Sequence, residues 1–123
     1  MRAIVVDDSR AMRTMLRNIL RENEIDVVAE AGNGREALEK LDQTGPLELA
    51  LLDWNMPEMN GFELLCALRA DPKWSSMRVM LVTTETEASQ VMRALDAGAD
   101  EYLFKPFQKE ALRDKLSLMG LIE

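Results

Sequence analysis

The sequence predicts an α/β protein built on one doubly wound parallel sheet. Three observations carry that prediction. Strand-like and helix-like segments alternate five times along the chain, their connections are short, and three of the apolar runs finish on charged residues: Asp7-Asp8, Asp53 and Lys105. In an open α/β sheet, ligands bind in the crevice at the carboxyl ends of the strands, so these four charges are expected to meet in one place.

The elements follow in order. Residues 2 to 6 (Arg-Ala-Ile-Val-Val) form a short apolar run that ends at Asp7-Asp8. Met12, Met15, Leu16, Ile19 and Leu20 then repeat at i, i+3, i+4, i+7 and i+8, the stripe of an amphipathic helix. Residues 27 to 31 read as a strand, and Gly34 opens a helix with Ala37, Leu38 and Leu41 inward, broken by Gly45-Pro46. Residues 47 to 52 run as a strand into Asp53, and a helix from Gly61 carries Leu64, Leu65 and Leu68 as far as Asp71-Pro72. Val79 to Val82 is the fourth strand. Ala88, Val91, Met92 and Leu95 give a helix stripe ended by Gly98, Glu101 to Phe104 is the fifth strand, and Ala111, Leu112, Leu116 and Met119 line a last helix. Right-handed crossovers then give a flavodoxin-like (β/α)5 sheet with strand order 2-1-3-4-5.

Composition narrows the classes. The 123 residues are expected to form one domain, 1–123, with enough chain for a real core. A hydrophobic content of 47% with 30% charged residues is globular, and no run of about 18 apolar residues suggests a membrane span. Asp7 interrupts the first apolar run after a few residues, so no signal-peptide pattern is present and the cytoplasm is the expected location. A net charge of -7 argues against a nucleic-acid footprint, and the absence of histidine removes the commonest catalytic base. Cys66, among Leu64, Leu65 and Leu68, is expected to be a small core residue, and the nine methionines core filler.

Several carboxylates packed together repel one another unless a cation sits among them. The cluster therefore implies a bound hard metal or raised pKa values, and the metal is the better reading. Helix capping by Asp7 or Asp8 is the structural alternative, since Ser9-Arg10 starts the next helix.

The chain resembles the response-regulator receiver domains over essentially its full length. The resemblance rests on Asp7-Asp8, on residues 53 to 61 (Asp-Trp-Asn-Met-Pro-Glu-Met-Asn-Gly), on Thr83-Thr84-Glu85 and on residues 102 to 107 (Tyr-Leu-Phe-Lys-Pro-Phe). It implies that Asp53 is a phosphoacceptor whose carboxylate attacks phosphorus to form an acyl phosphate. It also implies one Mg²⁺ held by Asp8, Asp53 and the backbone carbonyl of Asn55, with Asp7 reaching it through water. Lys105 would pair with a phosphoryl oxygen, aimed by a cis bond to Pro106. Thr83 would donate its hydroxyl to the phosphoryl group, and its movement would admit the Tyr102 ring, a switch passed to the face of the fourth helix, fifth strand and fifth helix. Asn55 and Glu85 become the positions that set phosphoryl lifetime.

As partners the resemblance implies a histidine kinase, with a phosphatase or phosphotransfer domain in some systems, and a protein target, in a monomer that signals in chemotaxis. Such a domain is not a turnover enzyme, although it catalyses its own phosphoryl uptake and loss. Residues 85 to 90, Glu-Thr-Glu-Ala-Ser-Gln, lack the lysines of the flagellar members, which puts a motor target in doubt. Arg10, Arg13, Arg17 and Arg21 make a basic stripe on the first helix, read as a solvated face or as a docking surface for an acidic kinase-side domain. The alternatives are a phosphorelay intermediate or a Mg²⁺-dependent aspartyl-phosphate phosphatase. The phosphatase would place an acid/base aspartate where this chain has Asn55, and an amide cannot do that work. Neither GxGxxG nor GxxxxGK[ST] follows the first strand, against a nucleotide-binding module.

Overall fold

The computed structural model describes residues 1–123. Five strands, β1 (Arg2–Val6), β2 (Asp26–Ala31), β3 (Leu49–Leu52), β4 (Arg78–Thr83) and β5 (Glu101–Phe104), pair in parallel in the order β2-β1-β3-β4-β5. Helices α1 (Arg10–Glu22), α2 (Gly34–Thr44), α3 (Gly61–Ala70), α4 (Ala88–Asp96) and α5 (Lys109–Leu118) follow the strands in turn. This is the expected flavodoxin-like arrangement.

The pleat divides the core in two. Alternate residues Ile4, Val6, Ala50, Leu52, Val79 and Leu81 face α2, α3 and α4. Their neighbours Ala3, Val5, Leu49, Leu51, Met80 and Val82 face α1 and α5. Because β3 is central and covered on both faces, Leu49, Ala50, Leu51 and Leu52 are all buried, which explains a continuous apolar run where a one-sided sheet would show alternation. β3 begins at Leu49, two residues later than expected: Glu48 is exposed, and its main chain bonds Arg2 ahead of the ladder.

Side chains cap the starts of α1, α2 and α3. Ser9 accepts from the Met12 N–H at 3.2 Å and Asn33 from the Glu36 N–H at 2.8 Å. Asn60 and Glu63 form a reciprocal capping box at α3. Ser9 and not Asp8 caps α1, so the capping alternative for that carboxylate fails and Asp8 is left free for the site. The basic stripe on α1 is also not uniformly solvated: Arg10 and Arg21 are exposed, whereas Arg13 and Arg17 turn onto Glu30 of β2.

Three core expectations change. On α4 the buried residue is Ala94, with Val91 packed beside it, while Met92 and Leu95 are 57% and 42% exposed. A small side chain lets this helix approach the sheet, and the larger apolar residues are turned outward. Cys66 is exposed, because Leu64, Leu65 and Leu68 already occupy the sheet-facing side of α3. Among the methionines, Met77, Met80 and Met119 are buried, but Met15 joins Met92 at the surface, so core filling accounts for only part of them.

Candidate functional site

The residues immediately beyond the strands continue the ladder, and this sets the site. The Asp7 N–H donates to the Ala31 carbonyl of β2 at 3.0 Å, the Asp53 N–H to Val6 of β1 at 2.9 Å, and the Lys105 N–H to Thr83 of β4 at 2.9 Å. Backbone pairing therefore carries Asp7, Asp53 and Lys105 side by side across the carboxyl edge of the sheet. Thr83 closes β4 next to them and is fully buried.

Asp7 and Asp53 are themselves buried, 1% and 7% exposed, whereas Asp8 faces solvent. One carboxylate oxygen from each of Asp7, Asp8 and Asp53 lies within 4.8 Å of the others. Lys105 Nζ lies 2.6 Å from Asp7 Oδ2 and 3.4 Å from Asp53 Oδ2, so its ammonium sits closer to Asp7 and leaves Asp53 the less neutralised of the two. The Lys105-Pro106 peptide is cis. The other Asp7 oxygen, Oδ1, accepts from the Ser9 N–H at 2.8 Å.

Burial pushes the Asp53 carboxyl above its ordinary range, and the negative charge of Asp7 adds to that push. The Thr83 hydroxyl and the Lys105 ammonium oppose it. A carboxylate kept in a half-closed pocket with a single ammonium is short of positive charge. Three hard oxygen donors against one cation suit magnesium, which takes few protein oxygens and keeps several waters.

Glycine shapes the opposite wall. A Cβ at Gly61, the first residue of α3, would lie 2.1 Å from the Asp53 carbonyl oxygen and 3.0 Å from Trp54 Cα. The Gly61 N–H donates to the Trp54 carbonyl at 2.9 Å, so the loop from Asp53 to Asn60 closes on itself against the helix start. Sequence reasoning passed over this residue as a helix opener; its signal is a glycine directly after the Asn60 cap. In that loop Asn55 is exposed and Glu58 takes a left-handed φ of 64°. Trp54 is buried and stacks on Phe62, with ring centroids 5.3 Å apart, and the Arg93 guanidinium of α4 lies 4.2 Å over the Phe62 ring.

Tyr102 is turned inward. Its hydroxyl donates to the Glu85 carbonyl at 2.7 Å, and its ring meets Phe104 edge-on at 5.2 Å. Burial, with the charges of Glu85 and Asp53, pushes its phenol up to about 12. Thr83 Oγ1 accepts from the Glu85 N–H at 3.2 Å, so Thr83 and Tyr102 hold the same short segment from its two ends. All of the residues singled out at strand ends come together; Asn55 and Glu85 lie on the loops around them.

Comparison with known proteins agrees with this geometry. Residues 3–117 match the response regulator receiver domain. The chain is 40% identical over 119 residues to chemotaxis protein CheY1 of Helicobacter pylori, covering 97% of this chain and 96% of the relative. It is 42% identical over 116 residues to the chemotaxis protein CheY homolog of Campylobacter jejuni, covering 94% of this chain and 89% of the relative. The solved structure of chemotaxis response regulator CheY4 of Vibrio cholerae superposes with a TM-score of 0.84 at 32% identity, over 98% of each chain. No helix here is long and apolar enough to cross a membrane. With the strand order, the strand-end aspartates and these matches in agreement, the chain belongs to the response regulator receiver family of two-component signalling.

Proposed function

We propose that this protein is a single-domain response regulator, residues 1–123, that takes a phosphoryl group from a histidine kinase onto Asp53 and signals by contact with a protein target. The observation that carries the proposal is the position of Asp53, buried at the carboxyl end of β3 between Asp7, Lys105 and Thr83, with its nucleophilic oxygen short of neutralising charge.

In the transfer, a carboxylate oxygen of Asp53 forms a bond to phosphorus as the bond from phosphorus to the donor breaks. The donor is a phosphohistidine nitrogen, or the acetate oxygen of acetyl phosphate, and it leaves with the bonding electron pair. Asp7, Asp8, Asp53 and the Asn55 carbonyl would hold Mg²⁺, which supplies positive charge against the incoming phosphoryl oxygens. Lys105 then meets one phosphoryl oxygen as a compact point charge, drawn from Asp7 by the stronger anion. Thr83 donates its hydroxyl to another. Hydrolysis of the acyl phosphate ends the signal, with Asn55 and Glu85 flanking the approach of water and so setting its lifetime.

The named relatives support a role in chemotaxis. The exposed apolar residues Met92, Leu95 and Phe104, on α4 and β5, support a target on the α4-β5-α5 face. The net charge of -7 accords with a monomer that binds neither anionic membrane nor nucleic acid, and the cytoplasm is its proposed location.

Incubation with acetyl phosphate and Mg²⁺ tests the chemistry. Intact mass should show one added phosphoryl group, which should not form when Mg²⁺ is chelated beforehand or in Asp53→Asn, whose amide has no anionic oxygen to attack with. Undiminished labelling of that variant would move the chemistry to another residue.

A further inference from the structure

Arg13 of α1 reaches back past the first turn of its helix to the β1–α1 loop. Its Nη1 donates to the backbone carbonyl of Asp7 at 2.6 Å, and its Nε donates to Glu30 Oε1 at 3.3 Å. Arg17, one turn on, donates its Nη1 to the other Glu30 oxygen at 2.6 Å. The i, i+4 spacing places both guanidiniums over one residue of the neighbouring strand. Arg13 and Glu30 keep only 19% and 25% of their side-chain surface exposed, so loss of Glu30 would strand the Arg13 charge in a largely dry position, whereas loss of Arg13 leaves Glu30 paired with Arg17.

The carbonyl that Arg13 holds belongs to the peptide joining Asp7 to Asp8. A peptide unit is planar, so fixing this oxygen fixes the plane and the direction in which the chain enters Asp8. The other polar groups of Asp7 are already engaged by Ala31, Ser9 and Lys105. Asp8 is exposed and takes its placement from this peptide.

We infer that Arg13, braced by Glu30, is a positioning residue that holds the Asp7-Asp8 peptide so that both carboxylates face Asp53 before a cation arrives. The inference rests on the reading of the cluster as a cation site. An ion pair that only tied α1 to β2 would need the Glu30 carboxylate alone, and the bond to the main chain of Asp7 would serve no purpose in it.

The test compares Arg13→Met with Arg17→Met, which loses the same partner, Glu30, but no contact to Asp7. Mg²⁺ titration is followed by Trp54 fluorescence in a Trp74→Phe background, with thermal melts of every variant. Partners that orient metal ligands from behind cost about 10- to 100-fold in affinity when removed. Arg13→Met should therefore weaken Mg²⁺ binding by about tenfold or more, and Arg17→Met by less than about twofold, at comparable melting temperatures. In the metal-free proteins, amide hydrogen exchange at Asp7 and Ser9 should quicken in Arg13→Met and not in Arg17→Met. Equal loss of affinity in the two variants, or none in either, would overturn the inference. If Mg²⁺ evokes no response in the parent protein, the cation reading falls, and the positioning is decided by the exchange rates: unchanged protection at Asp7 and Ser9 overturns it.

Discussion

Asp53 carries a conflict between function and stability that can be measured. Its carboxyl is raised above the ordinary range chiefly by burial. The folded state therefore holds this proton more readily than the unfolded chain, and stability falls as pH rises through the window between the unfolded and folded values. At neutral pH the buried charge is a cost. Asp53→Asn should raise the urea midpoint at neutral pH, by an amount within the roughly 0.5–3 kcal/mol usual for single substitutions, and the gain should shrink as pH falls below the carboxylate range. A gain that persists undiminished in acid would mean that charge is not its source. Tyr102 offers a second reading at the same scale, because it is the only tyrosine and its phenolate absorbance reports it alone. Ionisation near about 12 is expected from its buried ring and the nearby Glu85 and Asp53 charges. Ionisation at the ordinary value of about 10 would place the ring in water.

Among the elements, α3 is the one whose start lies against the backbone of Asp53, the proposed phosphoacceptor. Gly61→Ala would put a methyl 2.1 Å from the Asp53 carbonyl, against backbone that cannot rotate away. Overpacking of this kind costs about 1–3 kcal/mol, and here the displaced group is the backbone of Asp53 itself. The variant should unfold at lower urea and label more slowly with acetyl phosphate; parent-like values for both would mean that the loop yields at no cost. The residues legible in the sequence were those whose position follows from where a strand ends. Asp7, Asp53 and Lys105 continue backbone ladders, and apolar runs mark those ladders clearly. Residues whose role depends on which way a helix faces were less legible. The stripe on α4 pointed to Met92 and Leu95, yet the sheet accepts the smaller Ala94, because hydrophobicity alone does not say how closely a helix must approach. Cys66 misled for a related reason: three leucines on α3 already fill the side it would have shared. Arg13 acts through a contact with main chain, which no residue pattern displays, whereas Gly61 is marked only by its place after the Asn60 cap.

Across the whole molecule, the inward Tyr102 changes how the switch is understood. The expected sequence had Thr83 moving towards a phosphoryl group and opening space for the ring. Here the ring is bonded to the Glu85 carbonyl, and Thr83 to the Glu85 N–H. Phosphorylation is expected to bias the population of this inward arrangement. Hydrogen bonds to charged groups contribute about 1.5–3 kcal/mol, so those made by Thr83 and Lys105 would supply about 3–6 kcal/mol as far as they differ between states. A swing from 1:99 to 99:1 needs about 5.5 kcal/mol, so a target that prefers the inward face would complete what the phosphoryl group begins.

The coupling between Asp53 and the α4-β5-α5 face is most directly tested by NMR with beryllofluoride and Mg²⁺, which load Asp53 as a phosphoryl mimic. In the parent protein, amides around Asp53 and on the face of Met92, Leu95 and Phe104 should shift together. In Thr83→Ala the pocket keeps Asp53, Lys105 and the cation ligands, so shifts near Asp53 should persist while the distant ones shrink. Equal distant shifts in the two proteins would contradict the account, since Thr83 would then not connect Asp53 to that face.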